Sequence, residues 1–448
     1  MFRLKSKIAI SVCLAFLLAG CGGGGGAGGS GTSSPQRDLR TQWVDYIKAN
    51  AKALRSVDPL DTNYSDLSFL QGYLQGRDIV ELGESGHGVA EFSQAKIRLI
   101  KYLHEQMGFD VLAFESSILS TYLSNEQASQ WTPTEFMQNS VFAVWSTTDV
   151  QELFSYIQST QGTAHPLILA GFDVQLTTSY EAEVRPGLFQ EVVGKIDPVF
   201  AQQVHDMDQA FIQGWAWNNY DYILTNYADL KTKYQALTSF LDSNAAQIQA
   251  AYSSRPLFPL VVRQAAWGMS AYLDDLYNFA LNTPAGSITS NADRDAGMAT
   301  NLELLIENLY AGKKFMVWAH DVHIMHDATL YSSQGWQNMG NWIYKKYGNR
   351  GYTLGLYMYQ GTAAQNDRTL YTISPAGQDS VEGLLHAAND AFLFLDISTA
   401  PAVSDETSWM YQDYSIREWG TNAGTMTVKG EYDGLLQIDT VHPPTYVP

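Results

Sequence analysis

The sequence predicts an α/β fold: a mainly parallel central sheet flanked by helices, with an all-helical insertion between the two halves of the sheet. Two observations support this prediction. Short apolar runs recur in both the first and the last third of the 448-residue chain, and such runs are typical of buried parallel strands. The middle, from about residue 197 to residue 312, has helical periodicity and no strand-like run.

Seven apolar runs are predicted to be strands. Segments with a helical pattern lie between the runs nearest the N-terminus. The helix after the first run keeps a 3.6-residue apolar period from Val89 to Met107, and Gly108 is expected to end it. A strand–helix–strand connection of this length indicates parallel pairing of the two strands that it joins. The predicted strands are Ile79–Leu82, Val111–Phe114, Leu167–Ala170, Phe315–Trp318, Tyr352–Tyr359, Phe392–Leu395 and Leu435–Ile438.

The N-terminal residues are typical of a bacterial lipoprotein signal. Arg3, Lys5 and Lys7 precede an apolar segment at residues 8–18, which is too short for a stable membrane span. The Leu-Ala-Gly run before Cys21 resembles a lipobox, and this resemblance implies cleavage before Cys21 and lipidation of that residue. We therefore expect a lipid-anchored protein of the bacterial cell envelope, with Cys21 contacting the membrane.

Composition and helical pattern together predict five segments along the chain. A signal peptide at 1–20 is followed by a Gly/Ser-rich tether at 21–38, whose composition is that of a flexible linker. The first half of the α/β catalytic domain is expected at 39–190, and the helical insertion at 191–312. The second half of the catalytic domain then occupies 313–448.

Cysteine content and charge exclude several functions. The two cysteines, Cys13 and Cys21, both lie in the N-terminal segments, so disulfides, thiolate zinc sites and cysteine nucleophiles are excluded from the folded domain. The formal net charge is −19, and removal of residues 1–20, which carry three basic residues and no acidic ones, lowers it to −22. Such an acidic surface argues against a nucleic-acid partner.

Ionisable side chains follow the ends of several predicted strands. Glu84 and His87 follow the first strand, Glu115 the second, and His320 and His323 the fourth. Ligands of open α/β sheets bind beyond the carboxyl ends of the strands, so these residues predict an active site. His87 is the side chain best suited to take a proton from water near neutral pH. Glu84 and Glu115 are expected to orient it from neighbouring strand ends.

Two other interpretations of these residues remain open. His320, His323 and His326 recur every third residue, which is compatible with a metal or haem site at the same place, although the backbone turns there. A non-enzymatic surface lipoprotein is the other alternative, with a hydrophobic or glycan ligand bound by the helical insertion. The G-x-S-x-G nucleophile elbow is only imitated around Ser85, because His87 occupies its last position.

Six sequence blocks, in this order, resemble the erythromycin esterase family: GESGHGVAEF, VLAFES, AGFDVQ, RDAGMATN, VWAHDVH and YDGLLQID. The resemblance covers nearly all of the chain after the tether. It implies hydrolysis of an ester or lactone by water activated at His87, with no covalent serine intermediate and no obligatory metal or other cofactor. Macrolide antibiotics are substrates within this family, but macrolide cleavage and antibiotic resistance do not follow from membership alone.

The resemblance also suggests a role for each site residue. His87 is the expected general base, Glu84 and Glu115 orient it, and His320 assists as an electrophile or acid. The chain departs from the family pattern at Gly86, where threonine is common, and at Lys96, where arginine is common. Residues expected to contact a small-molecule ester or lactone substrate are Lys96, Asp173, Gln175, Arg294, Asp295 and His323.

Overall fold

The computed structural model describes residues 38–216, 218–327 and 335–448. The predicted signal peptide, almost all of the tether and the lipid anchor at Cys21 therefore lie outside the described residues. Within the described ranges, no helix is both long enough and apolar enough to cross a lipid bilayer.

A mixed, mainly parallel sheet of nine strands forms the centre of the fold. Its order is β1-β8-β11-β6-β2-β5-β3-β4, with β7 paired to β6 in addition, and β9 and β10 form a separate hairpin. The strands are β1 (Lys52–Ala53), β2 (Ile79–Leu82), β3 (Val111–Ser117), β4 (Ile168–Asp173), β5 (Phe315–Trp318), β6 (Gly351–Ala364), β7 (Leu370–Ile373), β8 (Phe392–Asp396), β9 (Tyr414–Glu418), β10 (Asn422–Met426) and β11 (Gly434–Val441). The predicted fold class is confirmed.

All seven predicted strands are present, but one predicted pairing is wrong. Strands β2 and β3 are parallel, as expected from the helix that joins them, yet they do not pair with each other. Strand β5 lies between them: Phe315 is in register with Ile79 on one side and with Val111 on the other. The local sequence pattern indicates the direction of a strand. It does not indicate which strand lies beside it, because here the neighbouring strand follows more than 200 residues later in the chain.

Helices cover both faces of the sheet. The predicted helix after β2 ends as expected, because Gly108 adopts the left-handed conformation with φ of 69°. The helices are α1 (Leu39–Asn50), α2 (Leu70–Tyr73), α3 (Ala90–Met107), α4 (Ile118–Gln127), α5 (Pro133–Gln138), α6 (Thr148–Thr160), α7 (Ser179–Gly194), α8 (Pro198–Trp215), α9 (Tyr220–Ser243), α10 (Ala245–Ala251), α11 (Phe258–Ala280), α12 (Pro284–Leu304), α13 (Asp321–Ile324), α14 (Met339–Tyr347), α15 (Val381–His386) and α16 (Val428–Glu431).

The segment between β4 and β5 is helical and has its own apolar core. Phe211, Leu237 and Leu273, from three different helices, are fully buried in this core. The predicted segment boundary at residue 190 falls inside α7. Helix α12 leads back to the sheet, where the Asn301 side chain donates a hydrogen bond of 3.0 Å to the backbone oxygen of Phe172 in β4. This contact holds α12 beside the carboxyl ends of the strands.

Candidate active site

The loop after β2 passes unusually close to its neighbours, which explains two of its glycines. A Cβ atom at Gly83 would overlap the Asp321 carboxylate, and one at Gly88 would overlap the backbone of Ala364. Only glycine permits such close approach. The loop carries Glu84 and His87 at the carboxyl end of the parallel strands, as predicted.

Glu84 is fully buried and is held by three side chains. Its Oε1 atom accepts hydrogen bonds from His87 Nδ1 at 2.6 Å and from Trp145 Nε1 at 2.9 Å. Its Oε2 atom lies 2.5 Å from Lys96 Nζ, and this ammonium group also lies 3.9 Å from the centre of the Trp318 ring. Burial lowers the pKa of Lys96, while the Glu84 carboxylate opposes that shift. The orientation of Glu84 is therefore fixed from several directions.

The contact with Glu84 sets the tautomer of His87. We infer from this hydrogen bond that Nδ1 carries the proton, which leaves Nε2 with a free lone pair. The ring packs edge-on against Trp145 and Trp419, with centroid distances of 5.0 and 5.5 Å. The side chain keeps 12% of its surface exposed. A histidine with a carboxylate on one nitrogen and a free second nitrogen is suited to general-base catalysis.

His320 lies beside His87 with a ring-centroid distance of 5.0 Å, and we call these two residues the histidine pair. The Nδ1 atom of His320 accepts a hydrogen bond from the backbone N–H of Val322 at 3.3 Å, so the ring proton resides on Nε2. Burial lowers the pKa of His320 well below its usual range, and His87 and His323 lower it further. His320 is thus a neutral hydrogen-bond donor, and Nε2 has no hydrogen-bond partner among the described residues.

A second group of site residues forms an ionic cluster on the other side of His320. It comprises Glu115, Asp173, Arg294, Asp295 and His323. Arg294 Nη2 donates to Glu115 Oε1 at 2.7 Å and to Asp173 Oδ2 at 2.6 Å. His323 Nδ1 contacts Asp295 Oδ1 at 2.9 Å. Both positive groups therefore have carboxylate partners, and the cluster ties β3, β4, α12 and α13 together.

The charges of this ionic cluster support one another. Burial alone would raise the pKa of Glu115, but His323 and Arg294 outweigh burial and hold it well below its usual range. Burial likewise favours neutral His323, yet the carboxylates of Asp295 and Glu115 raise its pKa above the usual value. Glu115 is consequently ionised near neutral pH, and the two carboxylates shift His323 toward its positive form.

Glu115 connects the two groups, although not in the expected way. Its Oε2 atom accepts a hydrogen bond of 3.0 Å from the backbone N–H of His320. Among the described residues it forms no hydrogen bond with His87, because β5 separates the strands that carry Glu115 and Glu84. The structure therefore brings Glu115 to the backbone of His320, whereas the carboxylate hydrogen-bonded to His87 is that of Glu84.

The remaining predicted substrate residues differ in exposure. Lys96 and Asp295 are fully buried, and Asp295 also accepts hydrogen bonds from Trp336 Nε1 and the backbone N–H of Met339. Gln175 and Arg294 are only partly buried. Gln175 Nε2 donates to Asp275 Oδ2 at 3.0 Å, and burial raises the pKa of Asp275 to about 6. Substrate contact thus stays a prediction for all six residues, and Gln175 and Arg294 are the most accessible of the six.

Sequence reasoning missed three residues that the structure brings to the site: Trp145, Glu418 and Trp419. The ring of Trp419 stacks on His320 with a centroid distance of 5.6 Å and an interplanar angle of 29°. Its backbone N–H donates to the oxygen of Ser85. Gly420, which directly follows Trp419, is the local turn signal at the tip of this hairpin.

The predicted alternative of a metal site receives no geometric support from His326. This residue forms a hydrogen bond of 2.8 Å with the Thr353 hydroxyl and stacks on the Tyr344 ring at 4.0 Å. Within the ranges that the structure describes, no group of three or more His, Cys, Asp and Glu side chains is arranged to hold a metal ion.

Comparisons of sequence place this chain among known proteins. The family model described as Erythromycin esterase matches residues 104–441. A putative hydrolase named YbfO, from Bacillus subtilis (strain 168), is 30% identical over 419 residues, which cover 90% of this chain and 91% of the relative. An Escherichia coli protein named erythromycin esterase type I is 30% identical over 126 residues, covering 27% of this chain and 30% of that protein.

Comparisons with solved structures support the fold. A Bacillus cereus protein superimposes with a TM-score of 0.76 at 18% identity, covering 91% of this chain and 99% of the other. A succinoglycan biosynthesis protein gives 0.71 at 17% identity, with coverages of 92% and 100%. A mutant of the erythromycin esterase EreC in its open conformation gives 0.70 at 17% identity, with coverages of 89% and 99%. At these identities the likeness concerns the fold.

Proposed function

The chain belongs to the erythromycin esterase family of hydrolases, and from this premise we propose that it cleaves a carboxylic ester or lactone with water activated by His87. One observation carries the proposal. His87 is held through Nδ1 by Glu84 at 2.6 Å, while its Nε2 atom has no hydrogen-bond partner among the described residues and its ring lies beside that of the neutral donor His320. This arrangement supplies a base and an electrophile without a metal ion.

The proposed reaction has two steps. First, His87 Nε2 takes a proton from water while the water oxygen forms a bond to the carbonyl carbon, and His320 donates a hydrogen bond to the carbonyl oxygen as it becomes negative. Second, the carbon–oxygen bond to the alcohol breaks, and the His87 imidazolium returns its proton to the leaving oxygen. The products are an acid and an alcohol, or one hydroxy acid from a lactone.

Direct attack by water is favoured over a serine nucleophile. The Ser85 hydroxyl is fully buried, and its oxygen has no hydrogen-bond partner among the described residues. Nucleophilic serine needs a base within hydrogen-bond reach. His87 already uses Nδ1 for Glu84, and no contact between its other nitrogen and Ser85 is present in the described part of the chain.

The substrate and its location are also proposals. Arg294, in the ionic cluster, and Gln175, whose backbone N–H donates to Asp173 of that cluster, are partly exposed and are candidates for binding the acyl or alcohol part of the substrate. A macrolide lactone is one candidate, because the Escherichia coli relative is named an erythromycin esterase. The lipobox-like run before Cys21 supports lipid anchoring in the cell envelope, which would expose the enzyme to extracytoplasmic esters.

A hydrolysis screen tests the reaction class. The purified full-length protein is incubated with simple aryl esters, lactones of increasing ring size and macrolides, with and without a strong chelator. We expect at least one ester or lactone to be cleaved, equally well with chelator, and to be left intact by His87→Asn. Turnover that disappears with chelator and returns with one added metal would contradict the metal-independent mechanism.

A fractionation experiment tests the anchor. Cys21→Ser should move the protein from the membrane fraction to the soluble fraction without lowering its melting temperature, since Cys21 lies before the folded domain. Ser30→Ala, in the Gly/Ser-rich tether, is the matched control and should stay in the membrane fraction. A Cys21→Ser variant that remains membrane-bound would refute lipidation at this residue.

A further inference from the structure

The hairpin of β9 and β10 brings a buried carboxyl group to the histidine pair. Glu418, the last residue of β9, is 4% exposed, and its Oε2 atom lies 4.0 Å from His320 Nε2. Both atoms are buried, and neither has a hydrogen-bond partner among the described residues. Leaving two buried polar atoms unpaired is costly, so this pair of atoms indicates a place for a third group that both can bind.

The surroundings of Glu418 favour its neutral form. In the described part of the chain, the titratable groups that interact with it include His320, Asp321, Tyr357, Glu382 and Tyr432, and none of these five is positively charged at neutral pH. Burial raises the pKa of Glu418 to about 8; the hydrogen bond from Tyr357 opposes this rise, and the Glu382 carboxyl adds to it. The Tyr357 hydroxyl donates to Oε1 at 3.2 Å. A neutral carboxyl group whose Oε1 accepts this bond can carry its proton on Oε2.

We propose that Glu418, as a neutral acid, and His320 together form the oxyanion hole of the hydrolase. This role rests on the proposed ester or lactone hydrolysis. Two donor atoms 4.0 Å apart can both reach one oxygen at ordinary hydrogen-bond lengths of about 2.8 Å. That oxygen is the substrate carbonyl oxygen. Two neutral donors bind a developing negative charge without a change in their own charge, and in a buried site their effect is strong.

The proposed role leaves the proton balance of the reaction unchanged. Water adds to the carbonyl carbon, the π electron pair moves to the carbonyl oxygen, and His87 receives the proton. His320 Nε2–H and Glu418 Oε2–H each donate a hydrogen bond to the oxyanion and keep their protons. When the bond to the alcohol breaks, the electron pair returns to form the carbonyl, and His87 protonates the leaving group.

The backbone of the hairpin tip supports a functional position for Glu418. The next residue, Trp419, has a φ of 57°, which lies in the left-handed region and is rare for a bulky side chain. Tertiary contacts hold it there, since its N–H donates to the oxygen of Ser85 and its own oxygen accepts from the Tyr371 hydroxyl at 2.9 Å. The strained turn fixes Glu418 against His320.

The test compares two variants of Glu418 in the full-length enzyme. Glu418→Leu removes the donor, and kcat should fall about 10²–10³-fold with little change in KM. Glu418→Gln retains an N–H donor that cannot ionise, so it should keep most of kcat. In the wild type, kcat should decline at alkaline pH as Glu418 loses its proton. Glu418→Gln should abolish this decline.

Glu81→Gln is the matched control, because Glu81 is another buried carboxyl whose pKa burial raises, to about 8, away from the histidine pair. It should preserve both kcat and the pH profile. The proposal is overturned if folded Glu418→Leu keeps kcat within threefold, or if Glu418→Gln retains the alkaline decline. His87→Asn is measured in parallel: activity in that variant would contradict the proposed function itself, whereas inactivity beside a fully active Glu418→Leu would refute only the oxyanion hole.

Discussion

The histidine pair and the ionic cluster lie side by side at the same edge of the sheet, yet they differ in how their polar atoms are used. In the ionic cluster, Arg294 and His323 have carboxylate partners within 3 Å. In the histidine pair, His320 Nε2 has no partner among the described residues, and His87 is hydrogen-bonded there through Nδ1 alone. Polar groups whose hydrogen bonds are satisfied within the protein hold the geometry of the site, whereas polar groups with an unused donor or acceptor can act on a substrate.

The difference implies a division of labour within one site. Glu115 belongs to the ionic cluster, and its Oε2 atom accepts the backbone N–H of His320, which fixes the loop that carries this histidine. Changes in the cluster should therefore appear first as loss of stability. Changes at the histidine pair and its direct supports should appear as loss of kcat in a folded protein.

The largest stability effect should come from removing the cation of the cluster. Arg294→Met leaves Glu115 and Asp173 buried without their shared partner, which should lower the free energy of unfolding by about 3–5 kcal/mol. Lys346→Met is the control, because Lys346 pairs with Glu303 and Glu307 on the surface and should cost less than about 1 kcal/mol. Denaturant unfolding measures both. Equal losses in the two variants would contradict the structural role of the cluster.

The pH dependence of stability should carry the signature of the cluster. The pKa of Glu115 is lowered in the folded protein, so its contribution is complete above about pH 4.5 and is lost as the pH falls toward the folded pKa. The pKa of His323 is raised, so its contribution is complete below about pH 6.5 and is lost as the pH rises through the folded pKa.

The difference in melting temperature between the wild type and Glu115→Gln should accordingly be largest between about pH 4.5 and 6.5. The corresponding difference in unfolding free energy should exceed about 1.4 kcal/mol, the equivalent of one pKa unit. Thermal scans in a series of buffers measure it. A difference that stays constant from acid to alkaline pH would argue against ionised partners in the cluster.

The smallest expected effect concerns the support of the histidine pair. Trp145→Phe keeps the aromatic ring beside His87 but removes the hydrogen bond from Nε1 to Glu84, so kcat should fall about three- to tenfold. Trp43→Phe loses comparable hydrogen bonds, to Asp405 and Ser408, and should leave kcat unchanged. Equal kcat values for these two variants would show that Glu84 does not need Trp145.

The sequence predicted most of the sheet because its strands are locally distinctive. All seven predicted runs form strands, and Gly108 ends α3 as expected. The order of the strands could not be read in this way, since β5 reaches its place between β2 and β3 after more than 200 residues. The hairpin β9–β10 was missed because its strands alternate partly exposed residues and lack a strong apolar run.

The sequence predicted those site residues that directly follow the end of a strand. It could not predict residues whose role depends on how deeply the fold buries them. Glu84, His87, Glu115 and His320 were identified from such positions, and the structure brings all of them to one edge of the sheet. Lys96 was expected to contact substrate, which stays a prediction, whereas its burial beside the Glu84 carboxylate could not be read from the sequence. Glu418 lies on a hairpin far along the chain, and no local pattern connects it with His320.

The central claim is that His87 acts as a general base toward water, and kcat of two variants tests it most directly. His87→Asn should lower kcat about 10²–10⁴-fold, because a positioned base contributes this factor, while Ser85→Ala should stay within about threefold of the wild type. Both variants should melt near the wild-type temperature. An inactive, folded Ser85→Ala beside an active His87→Asn would contradict the account and indicate a serine nucleophile.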